Sequence, residues 1–351
     1  MSKTLPATLI ASVIGLSILG SAASPPPSDR VPGSATSVAG AVVLKIASIA
    51  PSRSPWGNAL EKLANDWERI SNGAVTVRIY PGGIAGGEQD MIRKMRLGVL
   101  QGGVFSNMGL GKIDHDIVVL STPFLFHSRD EFSAVFETMR PTFAKGLEAG
   151  GFKVMFWTLA GWVNVFSKTA VREPDDLKKL KIAVTLDFPE IEQVWKKMGF
   201  EISPANNDMM IQLQSGAVTA IYLPPLLAGS GQYFPLVPNM LSPAMAPLVG
   251  GLLLSDRAWA SIPAELHQPF LDATVEAAKG LYEETVNVEA DALKMMKENG
   301  LVVHEITPAA MAKWRETAQK AVDALIGSLF SKEIYDQVVA VIQDYRKTHG
   351  Q

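Results

Sequence analysis

Apolar positions along this chain follow two rhythms: short runs that alternate or are wholly apolar, and longer stretches with a period near 3.6. Residues 42–50 (VVLKIASIA) are apolar enough for a buried first strand. Ser54 and Pro55 then open a helix as N-cap and first helical position. Its apolar stripe is Leu60, Leu63, Ala64, Trp67 and Ile70, and Gly73 stops it. Residues 75–80 form the next strand, so the first unit reads as βαβ and predicts a parallel sheet. The glycine-rich turn at 81–87 precedes a helix over 88–97; its spacing fits neither a Walker A loop nor GxGxxG, and turn chemistry accounts for it. Residues 102–106 are a third strand, with Ser106 and Asn107 at its end. Residues 128–146 read as a helix interrupted near Pro141.

The alternation continues beyond residue 150. Residues 152–159 are a strand leading to Gly161 and Trp162, and 163–167 stay extended, in position to cross from one lobe to another. Glu173 to Pro189 (EPDDLKKLKIAVTLDFP) reads as an acidic turn, a strand over 181–185, and a loop opening into a helix at Pro189. Ile182 and Val184 share one face of that strand; Lys181, Ala183 and Thr185 share the other. Ligands in open α/β sheets sit beyond the carboxyl ends of strands, which makes 183–188 a candidate cleft lining. Further strands are expected at 200–203, 218–223 and 248–255, the last returning to the first lobe. A long helix over 263–299 follows, then a strand at 301–306, a helix capped by Thr307-Pro308, and a last helix over 331–347.

Composition adds a location and removes several functions. Lys3, the apolar run 9–19 and the small residues Ser21-Ala22-Ala23 match a secretory signal, with an uncleaved anchor as the alternative. The chain has no cysteine, which excludes disulfides and thiolate metal sites, and its net charge of −3 without basic clusters argues against nucleic acid. Asp114-His115-Asp116 has no partner histidine at a ligand spacing and reads as a solvated loop. No Ser/His/Asp grouping with a nucleophile elbow is visible, so no enzyme and no cofactor is expected. The expected division is a signal peptide over 1–23, a flexible linker over 24–41, a first lobe over 42–163 plus 250–305, a second over 164–249, and C-terminal helices over 306–351.

Several short stretches then resemble one family in order and spacing. They are Pro55-Trp56-Gly57, Tyr80-Pro81-Gly82-Gly83, Arg96-Leu97-Gly98, Pro123-Phe124-Leu125-Phe126, Asp176 to Ile182 and Leu213 to Val218. Across residues 43–326 the chain resembles the extracytoplasmic solute-binding subunit of TRAP (tripartite ATP-independent periplasmic) transporters. The resemblance implies an α/β, two-lobe periplasmic-binding-protein-like fold with crossing strands and a long bracing helix. It also implies a periplasmic location and membrane permease subunits as partners. The family's usual lysine-isoleucine-arginine-valine is here Lys181-Ile182-Ala183-Val184, so the arginine that would hold a carboxylate is missing. Two charged hydrogen bonds, each worth about 1.5–3 kcal/mol, go with it.

The expected ligand is therefore apolar or amphipathic, with candidate contacts from Trp56, Asn107, Trp162, Ala183, Phe188, Asn207, Tyr222, Leu223 and Met245. Asn206 is a further hydrogen-bonding candidate. The resemblance to a branch with hydrophobic clefts also brings in a helical-repeat periplasmic partner. Against these stand plainer readings: Trp162, Phe188 and Tyr222 as core aromatics, and Trp56 as a helix-start staple. The alternative function is an organic-acid receptor using a non-standard cation such as Arg53 or a lysine; Lys181 is expected at the rim.

Overall fold

Ser54, Ser106, Ser128, Ser255, Thr307 and Ser331 each precede a helix, and each side-chain oxygen accepts a hydrogen bond from the backbone N–H three residues on. Such caps satisfy N–H groups that the helix itself leaves open, which is why the helix starts are sharp. The computed structural model describes residues 41–184, 187–204 and 208–350. The expected signal peptide and nearly all of the expected linker lie outside the described residues.

The first elements are β1 (Val42–Ser48), α1 (Pro55–Ile70), β2 (Val75–Tyr80), α2 (Glu88–Arg96), β3 (Gly102–Ser106) and α3 (Asn107–Gly111). A 3-10 turn at His115–Ser121 leads to α4 (Arg129–Ala149), and β4 (Phe152–Ser167) follows. Next come α5 (Pro174–Leu177), β5 (Lys181–Val184), α6 (Pro189–Lys197), β6 (Glu201–Pro204), α7 (Met209–Ser215), β7 (Ala220–Leu223) and α8 (Pro225–Ser230). The chain closes with β8 (Asn239–Ser242), β9 (Ala246–Ser255), α9 (Asp256–Ala260), α10 (Ala264–Glu298), β10 (Val302–Glu305), α11 (Pro308–Leu325) and α12 (Lys332–Thr348).

The strands follow the order β2-β1-β3-β9-β4-β7-β5-β6, with β8 added to β4 and β10 to β8. β1 runs parallel to β2 and β3, and β9 is antiparallel to both β3 and β4. The sixteen-residue β4 belongs to both halves: its first part pairs with β9, its last residues with β7 and β8. This gives the two lobes with crossing strands that the sequence predicts. The β4–β9 register slips between Leu159 and Trp162, and Gly161 sits there with φ of 115°. A Cβ on that residue would lie 3.2 Å from Pro224 and 3.3 Å from Glu289 Oε2, so glycine meets both the backbone and the packing requirement.

On one face of the first half, α1 and α10 pack together, with Trp67 stacked on Phe270 at 4.7 Å. On the other face α4, α3 and α12 share a core containing Phe105, Phe143, Val338 and Ile342. The 35-residue α10 extends over roughly 50 Å and reaches α8 in the second half, as expected of a brace.

Three details differ from the sequence reading. Helix α4 runs unbroken through Pro141, because buried Phe143 and Leu147 anchor the turns beyond it while the proline itself is exposed. Strand β10, expected with the first lobe, pairs in parallel with β8 in the second half. The C-terminal helices do not form a unit of their own. Trp314 and Ala318 of α11 enter the second half's core, whereas Ile334, Val338 and Ile342 of α12 enter the first half's.

Candidate functional site

Asp187 and Phe188, which follow β5, lie against the elements at the carboxyl end of β3, and this contact forms a seam between the lobes. On the first-lobe side, Ser106 caps α3 and also donates from its hydroxyl to Glu88 Oε2 at 2.8 Å, while its backbone N–H donates to Oε1. Glu88 opens α2. A Cβ at Gly109 would collide with its carboxyl group, so a glycine at that point of α3 lets Glu88 lie against the helix. Burial pushes the Glu88 carboxyl above the usual range; the two bonds from Ser106 oppose this, and the nearby Asp187 carboxylate adds to it.

From the second lobe, the loop after β5 brings Phe188 down onto α3. Its ring meets His115 edge-on at 5.5 Å and lies under the Lys112 ammonium at 4.2 Å. A Cβ added to Gly111 would lie 3.1 Å from the Phe188 ring. Phe188 is also the N-cap of α6, with Pro189 at its first position. Asn107, the first residue of α3, is buried. It donates from Nδ2 to Ser121 Oγ and leaves Oδ1 unpartnered. The structure thus brings Asn107 and Phe188 to the same short helix.

The remaining candidates disperse. Trp56 stands half-buried at the start of α1, with Nε1 unpartnered, against the first-lobe core. Ala183 is buried among Phe166, Leu213 and Ile221. Tyr222 and Leu223 are neighbours on β7, so they point to opposite faces: Tyr222 joins Val165 and Ile182, and Leu223 joins Ala183. Burial pushes the Tyr222 phenol well above its ordinary value. Met245 is buried at the hinge; its N–H donates to Val163 O at 2.7 Å and its C=O accepts from Phe124 N at 2.6 Å. Asn206 and Asn207 lie outside the described residues. Arg53 is exposed in the first loop, and Lys181 pairs with Glu201 at 3.2 Å on the surface.

Trp162 occupies a different place. It lines a cavity of about 320 Å³ on the flank of the hinge, walled by β4, the start of α4, α10, α11 and the loop after β8. Among the candidates it alone lines this cavity. Its ring packs edge-on to Phe132 at 6.1 Å, and its Nε1 is buried without a hydrogen-bond partner. Glu289 of α10 lines the same cavity, with Oε1 paired to Arg129 at 3.1 Å and Oε2 buried and unpartnered. His127 and Arg315 complete its polar rim. Burial and the charges of Arg346 and Arg315 hold the His127 imidazole below its ordinary pKa.

Sequence reasoning missed Glu88 and Glu289. Glu88 looks like any acidic residue in a first helical turn. Glu289 falls on the buried stripe of α10 that runs through Phe270, Thr274, Ala277, Leu281 and Thr285, a spacing legible in the sequence. The Asp114-His115-Asp116 run serves structure. Asp114 caps the 3-10 turn, and the Asp116 carboxylate accepts from Ser331 N at 2.7 Å and Ser331 Oγ at 3.0 Å. Among the described residues no group of three or more His, Asp or Glu side chains is placed to hold a metal ion.

Residues 46–328 match the family model described as bacterial extracellular solute-binding protein, family 7. A solute-binding protein of Chromohalobacter salexigens is 26% identical over 271 residues, covering 74% of this chain and 78% of that one. The C4-dicarboxylate-binding periplasmic protein DctP of Rhodobacter capsulatus is 23% identical over 289 residues, covering 78% and 84%. Among solved structures, a TRAP periplasmic solute-binding protein from Ralstonia eutropha with bound (S)-2-acetolactate superimposes with a TM-score of 0.79 at 20% identity, covering 86% of this chain and 99% of that one. One from Sulfurospirillum deleyianum with bound succinate gives 0.76 at 19% identity, with the same coverages.

Proposed function

The chain belongs to the family of bacterial extracellular solute-binding proteins, family 7, the periplasmic receptors of TRAP transporters, and on that premise we propose that its ligand is an amphipathic or apolar small molecule captured between the lobes. The family is one of transport receptors that work with membrane permease subunits, not of enzymes. The observation that carries the ligand class is the charge at the seam. The position where the family's arginine is expected is Ala183, packed in an apolar core, and the carboxyl groups of Glu88 and Asp187 lie at the strand ends. A dicarboxylate placed there would meet like charge and lose the paired hydrogen bonds of a guanidinium. Phe188 closes the apolar side of the seam, its ring already packed against His115 and α3.

A second reading has its own observation. Lys112, held over the Phe188 ring, is a cation at the seam, and relatives carry bound succinate or galacturonate. An organic acid held by that lysine would fit it. The two readings part in one experiment: gentle purification of the exported chain, organic extraction and mass spectrometry, followed by thermal titration. An amphipathic molecule in the extract, with no stabilisation by succinate or galacturonate, is the expected outcome. Recovery of small polar acids alone, with a thermal shift on adding them back, would replace it by the second reading. At a ligand concentration of 100 Kd, binding adds about 2.7 kcal/mol to stability, which is readily measured.

A further inference from the structure

Helices α11 and α12 and the segment 122–127 wall a further cavity, of about 310 Å³, which the proposed capture of a solute at the seam does not use. Its polar lining is one-sided in charge: Arg315, Arg346 and His127 stand there with Gln319, Gln343 and Tyr335, and no Asp or Glu does. Along α11, Lys313 and Lys320 are paired with Glu173 and Glu316, whereas the exposed Arg315 has no ion pair or hydrogen bond among the described residues. Arg346 of α12 donates from Nε to Glu131 and from Nη2 to Leu125 O, which leaves Nη1 without a partner there. Burial, then the charges of Arg346 and Arg315, hold the His127 imidazole toward its neutral form, and the Glu131 carboxylate opposes them more weakly. The positive potential at this place is therefore not cancelled by the one buried carboxylate beside it. Asp323, Glu316 and Asp336 on the same two helices have partners of their own, in Gln319, Lys320 and Lys332.

The rest of the wall is apolar, from Phe124, Leu125, Val322, Val339 and Ile342, and the volume is at the lower end of small-molecule sites. Phe124 has φ of 58°, a left-handed conformation that is uncommon for a bulky side chain and that surrounding structure must hold in place. Two contacts do so: its N–H donates to Met245 O at 2.6 Å, and its ring lies 5.8 Å from Trp314. Arg346 holds the next residue through Leu125 O. The segment is thus fixed by the protein itself, and a ligand does not have to order it.

We infer that the cavity between α11 and α12 is a second small-molecule site, for a small organic carboxylate with an apolar body. The carboxylate accepts from the Arg315 guanidinium and from the free Nη1 of Arg346, beside His127, and the body lies against Val322, Val339 and Ile342. Because α11 enters the second half's core and α12 the first half's, the bound anion joins the two halves at a place remote from the seam.

The test uses the full exported chain at fixed pH, with benzoate as the probe and the His127 ring C–H resonance as the reporter, identified as the one missing from His127→Gln. It is expected to move saturably on titration with benzoate. Benzamide, of the same shape without the charge, should bind roughly tenfold more weakly. Arg315→Gln, which breaks no contact within the protein, should weaken benzoate roughly fivefold. A His127 resonance that stays put up to the solubility limit overturns the inference, as does equal affinity for benzoate and benzamide, or an affinity for benzoate that Arg315→Gln leaves unchanged. Reporter and variant both lie at this cavity, so the identity of the solute captured at the seam does not bear on the result. The comparison of the two probes on the unmodified protein stands even if Arg315→Gln fails to fold.

Discussion

At the seam, both oxygens of Glu88 are occupied by Ser106, and the Phe188 ring is packed between His115, Lys112 and α3. At the flank cavity, one oxygen of Glu289 is occupied by Arg129 and the other is open, and the Trp162 indole has ring contacts but no acceptor. Both regions shield a carboxyl group, Glu88 in part and Glu289 almost fully. They differ in how that group is satisfied: by the protein's own hydroxyl and backbone in one place, by half an ion pair in the other. The first arrangement is complete within the protein; the second leaves a shielded donor and a shielded acceptor without partners among the described residues.

Substitutions on the two sides sharpen the contrast, and the largest effect is expected at the seam. Phe188→Ala removes a ring that is 3% exposed and leaves a cavity against α3; urea unfolding should show a loss of about 3–4 kcal/mol. Arg129→Met comes next. It strips Glu289 of the one side-chain partner it has among the described residues, and because Arg129 is itself partly exposed the loss should be about 2 kcal/mol, below the full value for a buried pair. Trp162→Phe keeps most of the ring volume and breaks no hydrogen bond, so its cost should be about 1 kcal/mol. A loss above about 3 kcal/mol for Trp162→Phe would show that the indole N–H has a partner after all, and the contrast would collapse.

The smallest effect is a pH dependence. Glu88 has a folded pKa raised above its unfolded one, so the folded state holds the proton more tightly. Its contribution is fully present below the ordinary glutamate value of 4.5 and is lost as pH rises through the raised value. Glu88→Gln should flatten that part of the stability–pH curve, measured by thermal unfolding between pH 4 and 8, and leave the acid end nearly unchanged. A curve identical in shape to that of the unmodified protein would mean that Glu88 does not titrate in this window.

Much of the architecture is legible in local sequence because caps and periods are local. Ser54-Pro55, Thr307-Pro308 and Pro189 fix helix starts, and the alternation in Lys181 to Val184 predicts which side chains share a face. The same alternation forbids Tyr222 and Leu223 from lining one cleft together, although apolar composition alone invites that grouping. Pro141 misleads because the turns beyond it are held by tertiary burial of Phe143 and Leu147, not by propensity. The site is less legible because its chemistry comes from distant partners. Ser106 meets Glu88 across 18 positions, and Arg129 meets Glu289 across 160. Neither pairing leaves a trace in spacing.

The last helix places a condition on biogenesis. Glu131, wholly shielded from solvent, receives its counter-ion from Arg346, 215 positions later in the chain, and the same guanidinium donates to Leu125 O at 3.0 Å. A nascent polypeptide that has not yet been synthesised as far as Arg346 cannot finish the half that its own first strand began. The start of α4 therefore lacks the counter-ion of its fully shielded Glu131 until the last helix is in place. Truncation before residue 331 should yield a chain that is cleaved by proteases across α4 while α1 and β2 remain protected.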